Sequence, residues 1–571
     1  KMMKSGKAAG KDGLRAEIFK ALNEEALQEF LEFLNIVWQE EQLPSDLRDA
    51  TIIALYKNKG SKADCGNYRG ISLLSIAGKV LARILLTRLV EKVSEDHLPE
   101  TQCGFRPGRS TTDMIFVIRQ LQEKCIEQHK ELYAVFIDLT KAFDSINRNA
   151  LWTILQKLGC PRKFSNLIRL LHQDMTGEVY ASGETSEPFL ISTGVKQGCV
   201  LAPVLFNLFL TQMLHHALDN CSQGIYIKYR HDGSLFDLRR LTAKTRTKQQ
   251  LVTEAMFADD CALMAHSETD LQLLATKFNE AAVLFGLTVS VAKTEVLHQP
   301  APGNTPQPVN IVMSNTTLKT VDSFKYLGST ISNDGSLDQD IAQRLQKAST
   351  ALGCLKKKVL SRSAIKTRTK LKLYRAVVLT SLLYGSECWT TYRRHVKRLE
   401  SLRQRALRNL IGVKWQDKVS NAEVLRRTES SSIESSLIKA QMRWCGHVIR
   451  MDRSRLPRKV LYGEPKTGKR NTGRPRKHFK DNIKQHVKSV QEVPGNLEKL
   501  AADRPTWRAF TKEAAEATDA ERLARREAAK TRRAARALQP LDPSVSVTCP
   551  TCGHVCASLF GLRSHSRVHQ T

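Results

Sequence analysis

The sequence predicts a multidomain α+β protein whose chain ends in a small metal-binding module. The chain has 571 residues, of which 41% are hydrophobic, so several cores of ordinary size are expected. Apolar runs with strand character and segments with helical periodicity follow one another along the chain, without an internal repeat. Two cysteines and two histidines near the C-terminus have the spacing of a ββα zinc module.

The N-terminal half is predicted to mix helices and strands. Residues 14–45 carry apolar side chains three and four positions apart, and the pattern stops near Pro44, which predicts a helix. The next predicted elements, in order, are a strand that runs into a basic turn (50–60), a long helix (71–93), a buried strand that starts at 131, a helix (202–218) and a strand–turn–strand unit (251–266).

The C-terminal half is predicted to be helical and basic. Residues 338–410 have helical periodicity, a Gly/Pro/basic linker follows at 463–480, and 519–538 form an Ala/Arg/Glu-rich helix. The whole chain carries a formal charge of +32, and residues 441–571 contain 28 Lys+Arg against 12 Asp+Glu. Solubility does not need so large an excess of one sign, so we expect a polyanion as partner.

The composition also indicates a compartment. No apolar run is long enough to cross a bilayer, and the N-terminus has no signal-like apolar region, so no membrane partner is expected. Ten of the 13 cysteines are scattered singly between Cys65 and Cys445, which predicts reduced thiols inside a cell. Because the chain starts on a lysine, we expect it to be an internal piece of a longer protein.

Three carboxylates are the main candidates for catalysis. Asp259 and Asp260 lie in the otherwise apolar run "MFADDCALMA", and Asp138 ends the apolar strand "YAVFID". If the two strands are neighbours, Asp138 and Asp259 meet at one edge of a sheet, and cations are needed to hold such carboxylates together. Mg²⁺ suits the site because it prefers oxygen ligands, and two such ions can support phosphoryl transfer. Taken alone, the Asp–Asp pair is equally typical of a simple turn.

The order of the motifs resembles the reverse transcriptases of non-LTR (LINE-type) retrotransposons over nearly the whole chain. Eight motifs in family order carry the resemblance: "YKNKG", "NYRGISLLSIAGKVLARIL", "QCGFRPGRSTTD", "FIDLTKAFDSI", "TGVKQGCVLAPVLFNLFL", "FADD", "GLTVSVAKTEVL" and "FKYLGS". The later segments "LLYGSECW", "RWCGHVIRMDRSRLPRKVLYG" and "GRPRKHFKD" are similar to the C-terminal half of the same family.

The resemblance implies a right-hand polymerase with fingers, palm and helical thumb, a basic C-terminal region and a ββα zinc finger. The expected divisions are an N-terminal extension with fingers (1–130), a palm with further fingers segments (131–335), a thumb (336–440), the basic region (441–545) and the finger (546–571). The implied activity is RNA-directed DNA synthesis by two-metal nucleotidyl transfer.

Catalytic roles are carried over position by position. Asp138 and Asp259 are expected to bind two Mg²⁺ ions, with Asp260 in support. Lys293 in "VAKTEV" matches the lysine that protonates the departing pyrophosphate; a solvent-exposed strand lysine is the alternative. Phe143 matches the bulky ring beneath the incoming sugar, which leaves no room for a 2′-hydroxyl and so selects dNTPs. Plain core packing is the alternative for Phe143.

Further residues are expected to bind the nucleotide. Arg69 in "NYRG" matches the fingers arginine that clamps the triphosphate, assisted by Lys57 or Lys59. Gly70 stands where the family more often has proline, which makes this loop looser. Gln197 and Gly198 in "VKQGCVLAP" match the segment that lies against the nucleotide and the template base, where a glycine allows close approach.

Two motifs are expected to contact nucleic acid. Arg106 and Arg109 in "GFRPGRS" offer paired guanidiniums, which we interpret as contacts to template-strand phosphates or to the fingers. The turn of Tyr326, Leu327 and Gly328 resembles a primer grip.

The terminal module is predicted from spacing alone. Cys549-x2-Cys552-x12-His565-x3-His569 is the pattern of one structural Zn²⁺ held by two thiolates and two imidazoles. Cys556 stands where such fingers usually have an aromatic side chain, with Leu562 at the other core position and Phe560 as a filler of the gap. Cys556 and His554 remain alternative ligands. Cys445 and His447 lack partners at ligand spacing and are interpreted as packing residues.

The expected partners are template RNA, primer or target DNA, and dNTPs. The resemblance further implies target-primed reverse transcription in the nucleus, cytoplasmic assembly with RNA, and an endonuclease encoded upstream. The finger and the basic runs 468–477 and 525–536 are interpreted as a nucleic-acid anchor; a nuclear import signal or solvated helix faces are alternatives. Other palm-class enzymes (group II intron, retron or telomerase type) and a catalytically silent, domesticated binding protein are the rival hypotheses. The insertion at 229–241 and the finger favour the LINE type.

Overall fold

The computed structural model describes residues 3–181, 183–468, 476–490, 497–538, 546–556 and 558–569. It confirms a mixed α and β protein in which a central sheet is covered by helices on both faces. Within the described residues, no helix combines the length and apolar character that crossing a membrane requires.

The fingers region is a small sheet with helices in front of it. Its strands, in spatial order, are Tyr68–Leu73, Ala50–Tyr56, Thr176–Ala181 and Glu184–Thr185, with Phe189–Leu190 pairing to the third. The helix predicted over 14–45 is broken into two, Ala16–Ala21 and Glu24–Glu40, because Asn23 caps the second helix with its side chain. A short helix, Ser45–Arg48, follows Pro44. The predicted helix 71–93 begins later, at Ile76, where Ser75 caps it.

The palm is built on a five-stranded sheet whose central strand is Leu132–Ile137. The spatial order is Lys319–Thr320, Glu295–Gln299, Leu132–Ile137, Asp260–Ala265 and Glu254–Phe257. All six residues of the central strand are buried, since alternate side chains enter two different cores. The helices packed around the sheet are Ile76–Leu89, Thr111–Glu127, Arg148–Lys157, Arg162–Leu170, Ala202–Leu218 and Glu268–Leu284.

The thumb follows the hairpin Ser323–Tyr326 and Ser329–Ser332 and has its own apolar core. Its first helix begins at Asp338, close to the predicted boundary at 335/336. The main helices are Asp338–Leu355, Thr367–Leu373, Arg393–Ile411 and Asn421–Arg427, joined by short π and 3₁₀ turns.

The C-terminal region is a helical layer packed onto the palm. Its helices are Ile433–Arg450, Leu456–Tyr462, Phe479–Lys488, Leu497–Ala502 and Arg504–Leu538. Phe116 of the palm packs edge-on against both Trp444 and Phe479, at centroid distances of 5.5 and 5.2 Å. The boundary expected at 440/441 therefore does not coincide with a structural one: it cuts the helix Ile433–Arg450 in two.

The predicted linker 463–480 is only partly a linker. Glu464–Pro465 forms a short strand that pairs with Ile225–Tyr229, in a three-stranded sheet completed by Lys248–Val252. Residues 469–475, which include most of the basic run 468–477, lie outside the described residues. The finger consists of Val547–Thr548, Val555–Cys556 and the helix Leu559–His565, followed by the turn Ser566–His569.

Candidate functional site

The strand pairing brings the three predicted carboxylates to one edge of the palm sheet. Asp260 pairs with Phe257 across a two-residue turn that contains Asp259. Cys261 lies opposite Ile137 in the antiparallel pairing with the central strand. The next register position therefore places Asp260 beside Asp138. Asp138 lies one residue beyond the end of its strand and is partly exposed. All three side chains thus lie at the same end of two neighbouring strands.

Burial and neighbouring carboxylates raise the pKa values of Asp259 and Asp260. Burial raises the pKa of Asp259, and the charge of Asp138 adds to this, while the positive charge of Arg69 opposes it. The pKa of Asp260 rises to about 6, first through burial and then through the charges of Asp259 and Asp138, although solvent still reaches this side chain. Three acidic groups in this arrangement are stabilised by any cation that enters between them.

A buried glutamine that sequence reasoning missed holds the aspartate turn. Gln102 is fully buried, its Oε1 accepts the N–H groups of Gly104 and Ala258, and its Nε2 donates to the Ala258 carbonyl. Ala258 has φ 57°, which is unusual for a residue with a side chain. A Cβ on Gly104 would lie 2.2 Å from the Ala258 nitrogen, so this position requires glycine. Gln102 and Gly104 are therefore positioning residues for Asp259.

Lys293 contacts the carboxylate cluster directly. Its Nζ lies 2.9 Å from Asp138 Oδ2. Lys293 is in a 3₁₀ turn, Val291–Lys293, which is fixed beside Asp138 because the Ser290 N–H donates to the Asp138 carbonyl. The predicted proton donor and the predicted metal ligand are thus neighbours, although their contact alone does not assign either role.

Phe143 lies half-buried near the same edge. Its ring stacks on Phe206 at 4.6 Å and meets Phe105 edge-on at 6.4 Å. Phe105 in turn lies 6.5 Å from Phe257, beside the aspartate turn. The ring is therefore fixed by packing on one side and accessible on the other. This environment suits a ring beneath the incoming sugar as well as simple core packing.

The loop of Gln197 and Gly198 is joined to the fingers sheet. The Ser72 N–H donates to the Gln197 carbonyl at 2.8 Å. Gly198 has φ 127°, and a Cβ there would lie 2.5 Å from the Ser72 carbonyl oxygen. The close approach that requires this glycine is thus made by the fingers strand, whereas we had expected it to be made by the substrate.

The cationic residues of the fingers differ in their surroundings. Arg69, on the strand Tyr68–Leu73, is exposed and near enough to Asp259 to act on its pKa. Lys57 donates to the Gly66 carbonyl at 2.9 Å within its own hairpin. Lys59 is exposed at the tip of that hairpin.

The structure does not support phosphate contacts for Arg106 and Arg109. Arg106 is 6% exposed, pairs with Glu95 at 3.0 Å and donates to two backbone carbonyls. Arg109 pairs with Glu100 at 2.5 Å and with Glu95 at 3.4 Å. Both guanidiniums are used inside the protein, where glutamates 9 and 11 residues earlier in the chain neutralise them. This arrangement favours the alternative role, contacts within the fingers, over contacts to template-strand phosphates.

The Tyr326–Leu327–Gly328 segment is a tight hairpin turn that the thumb holds in place. Leu327 and Gly328 have φ 47° and 80°. Tyr326 is buried, and its hydroxyl donates to the Ala255 carbonyl, so its ring is not available to a primer. Tyr384 donates to the Leu327 carbonyl at 2.8 Å and Arg344 donates to the Gly328 carbonyl, while Leu327 and Gly328 remain partly exposed.

The four predicted zinc ligands converge in the finger. The ligand atoms of Cys549, Cys552, His565 and His569 all lie within 4.8 Å of one another, an arrangement that can hold a tetrahedral metal ion. Burial opposes ionisation of Cys549, but backbone N–H groups at Cys552 and Thr551, and then the Cys552 and His569 side chains, outweigh it and lower its pKa to about 6. The thiolate is the form that binds a metal.

The alternative ligands are not part of this cluster. Cys556 is buried at the core position, and His554 is exposed and stacks on His565 at 4.8 Å. Phe560 does not fill the core as expected, since it is 83% exposed. Cys445 is buried within the core of the C-terminal region, which supports a packing role.

Comparisons with known proteins agree with this geometry. Residues 57–331 match the family model described as reverse transcriptase (RNA-dependent DNA polymerase). The chain is 23% identical over 426 residues to the RNA-directed DNA polymerase from mobile element jockey of Drosophila melanogaster, covering 73% of this chain and 43% of that protein. It is 24% identical over 369 residues to the Pol polyprotein of the type-2 retrotransposable element R2DM of the same organism, covering 62% and 31%.

Among solved structures, telomerase from Candida albicans with a fragment of telomeric RNA is similar over 74% of this chain and 67% of that one, at 12% identity and a TM-score of 0.32. That likeness is too weak for any argument about function. The chain spans less than half the length of the curated relatives named above. Residues 57–331 are therefore similar in sequence to reverse transcriptases, and the chain is similar to the polymerases of the mobile elements named above.

Proposed function

We propose that the protein is an RNA-directed DNA polymerase that copies the RNA of a non-LTR retrotransposon into cDNA from a DNA primer. The observation that carries this proposal is the meeting of Asp138, Asp259 and Asp260 at one sheet edge, with Lys293 and Arg69 beside them. A family match by itself is compatible with a chain that has lost its acidic residues; this chain has kept them.

The acidic edge fits divalent cations. The donor set consists of carboxylate oxygens, which Mg²⁺ prefers. The raised pKa values of Asp259 and Asp260 reflect burial first and the charges of the neighbouring carboxylates second. Asp138 and Asp259 would hold two Mg²⁺ ions, supported by Asp260. When bound, such ions supply charge stabilisation for the attacking and leaving oxygens of an in-line displacement.

The chain's own residues would position the reactants. Arg69 would contact the triphosphate of the incoming dNTP through its guanidinium. Phe143 would lie under the sugar, and Gln197 beside the base. Lys293 Nζ would give its proton to the departing pyrophosphate oxygen once its contact with Asp138 is released. The backbone at Leu327 and Gly328 would support the primer end.

The partners and location are part of the same proposal. Template RNA, primer or target DNA and dNTPs are the substrates, and a nicked chromosomal strand would serve as primer in the nucleus. An endonuclease from an upstream part of the polypeptide would make the nick. The assignment of fingers (1–130), palm (131–335), thumb (336–440) and finger (546–571) follows the family, with the thumb and the C-terminal region sharing the helix Ile433–Arg450.

A primer-extension assay tests the proposal. Purified protein is given poly(rA)/oligo(dT), dTTP and Mg²⁺, with a parallel reaction in excess EDTA. We expect Mg²⁺-dependent extension of the DNA primer. Protein that binds the primer–template in a gel-shift assay but never extends it would contradict the polymerase and favour a domesticated binding protein.

Substitution of Phe143 tests the sugar gate. Phe143→Ala should open space for a 2′-hydroxyl and lower the preference for dNTPs over rNTPs by roughly tenfold or more, measured as the ratio of kcat/KM values in single-nucleotide incorporation. Phe143→Tyr keeps the ring and should keep the preference. If Phe143→Ala instead lowers incorporation of both nucleotides equally, Phe143 only packs against Phe206.

Metal analysis tests the finger. We expect about one zinc ion per chain by elemental mass spectrometry, because four ligands converge at spacing that suits Zn²⁺. Cys549→Ser should lose this zinc, whereas Cys556→Ser should retain it, since Cys556 Sγ is not in the cluster. Loss of zinc in both variants would show that Cys556 is also needed for the site.

A further inference from the structure

The finger lacks the side chains with which such modules read double-stranded DNA. Its helix begins at Leu559, after the cap Ser558. The base-reading positions −1, 3 and 6 of a zinc finger helix are therefore Ser558, Gly561 and Ser564. The Ser558 hydroxyl already accepts the Gly561 N–H at 3.2 Å, Gly561 has no side chain, and Ser564 is short. None of these positions carries a group that makes a bidentate contact with a base pair.

The same helix instead presents an aromatic ring to solvent. Phe560 is 83% exposed and its neighbour Leu559 is 67% exposed. Phe560 is the only Phe, Tyr or Trp in residues 546–571, and the finger buries Cys556 at the position where an aromatic side chain is usual. The exposed face of the Phe560 ring is therefore available to stack on a flat group of a partner.

The charge around the ring decides what kind of partner fits. Residues 546–571 contain two arginines, Arg563 and Arg567, and no aspartate or glutamate. Both arginines are exposed, and Arg563 lies one helical turn after Phe560, on the same side of the helix. An apolar protein partner would not require this charge, whereas a nucleic-acid strand supplies phosphates for the arginines and flat bases for the ring.

We propose that the finger binds single-stranded nucleic acid by stacking an unpaired base on Phe560, with Arg563 and Arg567 on the flanking phosphates. Bases in a duplex are already stacked on each other and leave no face for the ring, so the finger prefers unpaired strands and reads little sequence. The proposal requires the zinc-bound finger but does not depend on polymerase activity.

Photo-crosslinking of the full-length, zinc-loaded chain tests this assignment. The probe is a mixed-sequence 20-mer that carries 5-iodouridine, used as a single strand and as a duplex, and crosslinked peptides are identified by mass spectrometry. We expect single-stranded RNA and DNA to crosslink at Phe560, and the duplex at least about fivefold less. Nucleic acid bound elsewhere on this basic protein crosslinks to other peptides and does not disturb the readout.

Two variants keep the test specific. Phe560→Ala should abolish the crosslink in the finger, while Phe560→Trp should retain it at residue 560, because indole also stacks on bases. Since Phe560 is exposed, both variants should still bind zinc, which elemental analysis verifies. Equal or stronger crosslinking of the duplex at residue 560, or no crosslink there in the zinc-loaded wild type, would overturn the proposal.

Discussion

Asp259→Asn is expected to reduce DNA synthesis by about a thousandfold or more, with the fold intact. Asparagine keeps the size of the side chain and its place in the turn that Gln102 holds, but removes a negative ligand from the acidic edge. A metal site that loses one charged ligand loses several kcal/mol of charge stabilisation, and each 1.36 kcal/mol is tenfold in rate. Single-turnover primer extension at saturating dTTP measures the loss.

Although Asp259→Asn should lower activity, it should not lower the stability of the metal-free protein. Burial raises the pKa of Asp259 in the folded state above its unfolded value, so the ionised carboxylate destabilises the metal-free protein at neutral pH. Asp259→Asn should therefore be at least as stable as wild type at pH 7.5 in EDTA. This advantage should shrink as the pH falls toward about 4, where an unfolded aspartate is protonated too.

A matched carboxylate away from the site provides the control. Asp219→Asn alters an exposed pair with His215 and should change neither extension nor the response to metal. Mg²⁺ should raise the melting temperature of wild type and of this control by preferential binding to the folded state, but not that of Asp259→Asn. Full extension activity in Asp259→Asn would remove the carboxylate cluster from the mechanism.

The acidic edge could be predicted from the sequence because it depends only on which segments are strands and on where the aspartates lie along them. Asp138 and Asp260 each adjoin an apolar run that is long enough for one buried strand, and neighbouring strands of opposite direction bring the end of one to the start of the other. The Cys549–His569 spacing predicted the finger for a similar reason, since four ligands of one metal must return to one point.

Side-chain pairings were not predictable in this way. Arg106 and Arg109 have the composition of a phosphate-binding loop, and although Glu95 and Glu100 are nearby in the chain, the sequence does not show that the folded loop turns both arginines onto them. Gln102 is an ordinary polar residue until the turn at Ala258 packs onto it. Such contacts arise from tertiary packing, which local periodicity does not report.

The boundary expected at 440/441, between the thumb and the basic C-terminal region, could not be placed from the sequence for a related reason. The helix Thr111–Glu127 buries side chains on nearly every face, toward the palm sheet and toward the C-terminal helices. The buried residues of this helix include Arg119, Gln120 and Lys124, so its sequence does not tell which later segment covers it. The basic composition of 441–571 suggested a separate region, whereas its helices share a core with Ile115 and Phe116 of the helix Thr111–Glu127.

Asp340→Ala is expected to have the largest effect on stability, about 3–5 kcal/mol. Asp340 is fully buried at the junction of palm and thumb, where it pairs with Arg119 at 2.9 Å and with Arg344 at 3.3 Å. Its carboxylate also accepts the indole N–H of Trp389 and the backbone N–H of Thr330. Alanine would leave two buried guanidiniums without their counter-ion, which costs far more than the net value of an intact pair.

The neighbouring Asp338 serves as a control, because it also pairs with arginine but is exposed. Comparing the two variants shows whether burial, and not the loss of charge alone, causes the destabilisation. Asp338 precedes Asp340 by two residues on the same helix and pairs with Arg394 at 2.6 Å, His395 at 3.2 Å and Arg398 at 3.6 Å, but its side chain is 39% exposed. Asp338→Ala should therefore cost less than about 1 kcal/mol. Urea unfolding followed by tryptophan fluorescence compares the two variants with wild type, and equal destabilisation would contradict the argument.

The same junction links stability to primer placement. The carboxylate of Asp340 accepts hydrogen bonds from Ser329 and Thr330, and the guanidinium of Arg344 donates to the Gly328 carbonyl, so the turn at 327–328 rests on this ion-pair cluster. Asp340→Asn keeps an acceptor for Trp389 and should unfold less readily than Asp340→Ala. It should nevertheless raise the KM for primer–template, with a smaller effect on the KM for dNTP, because the turn rather than the acidic edge loses its support.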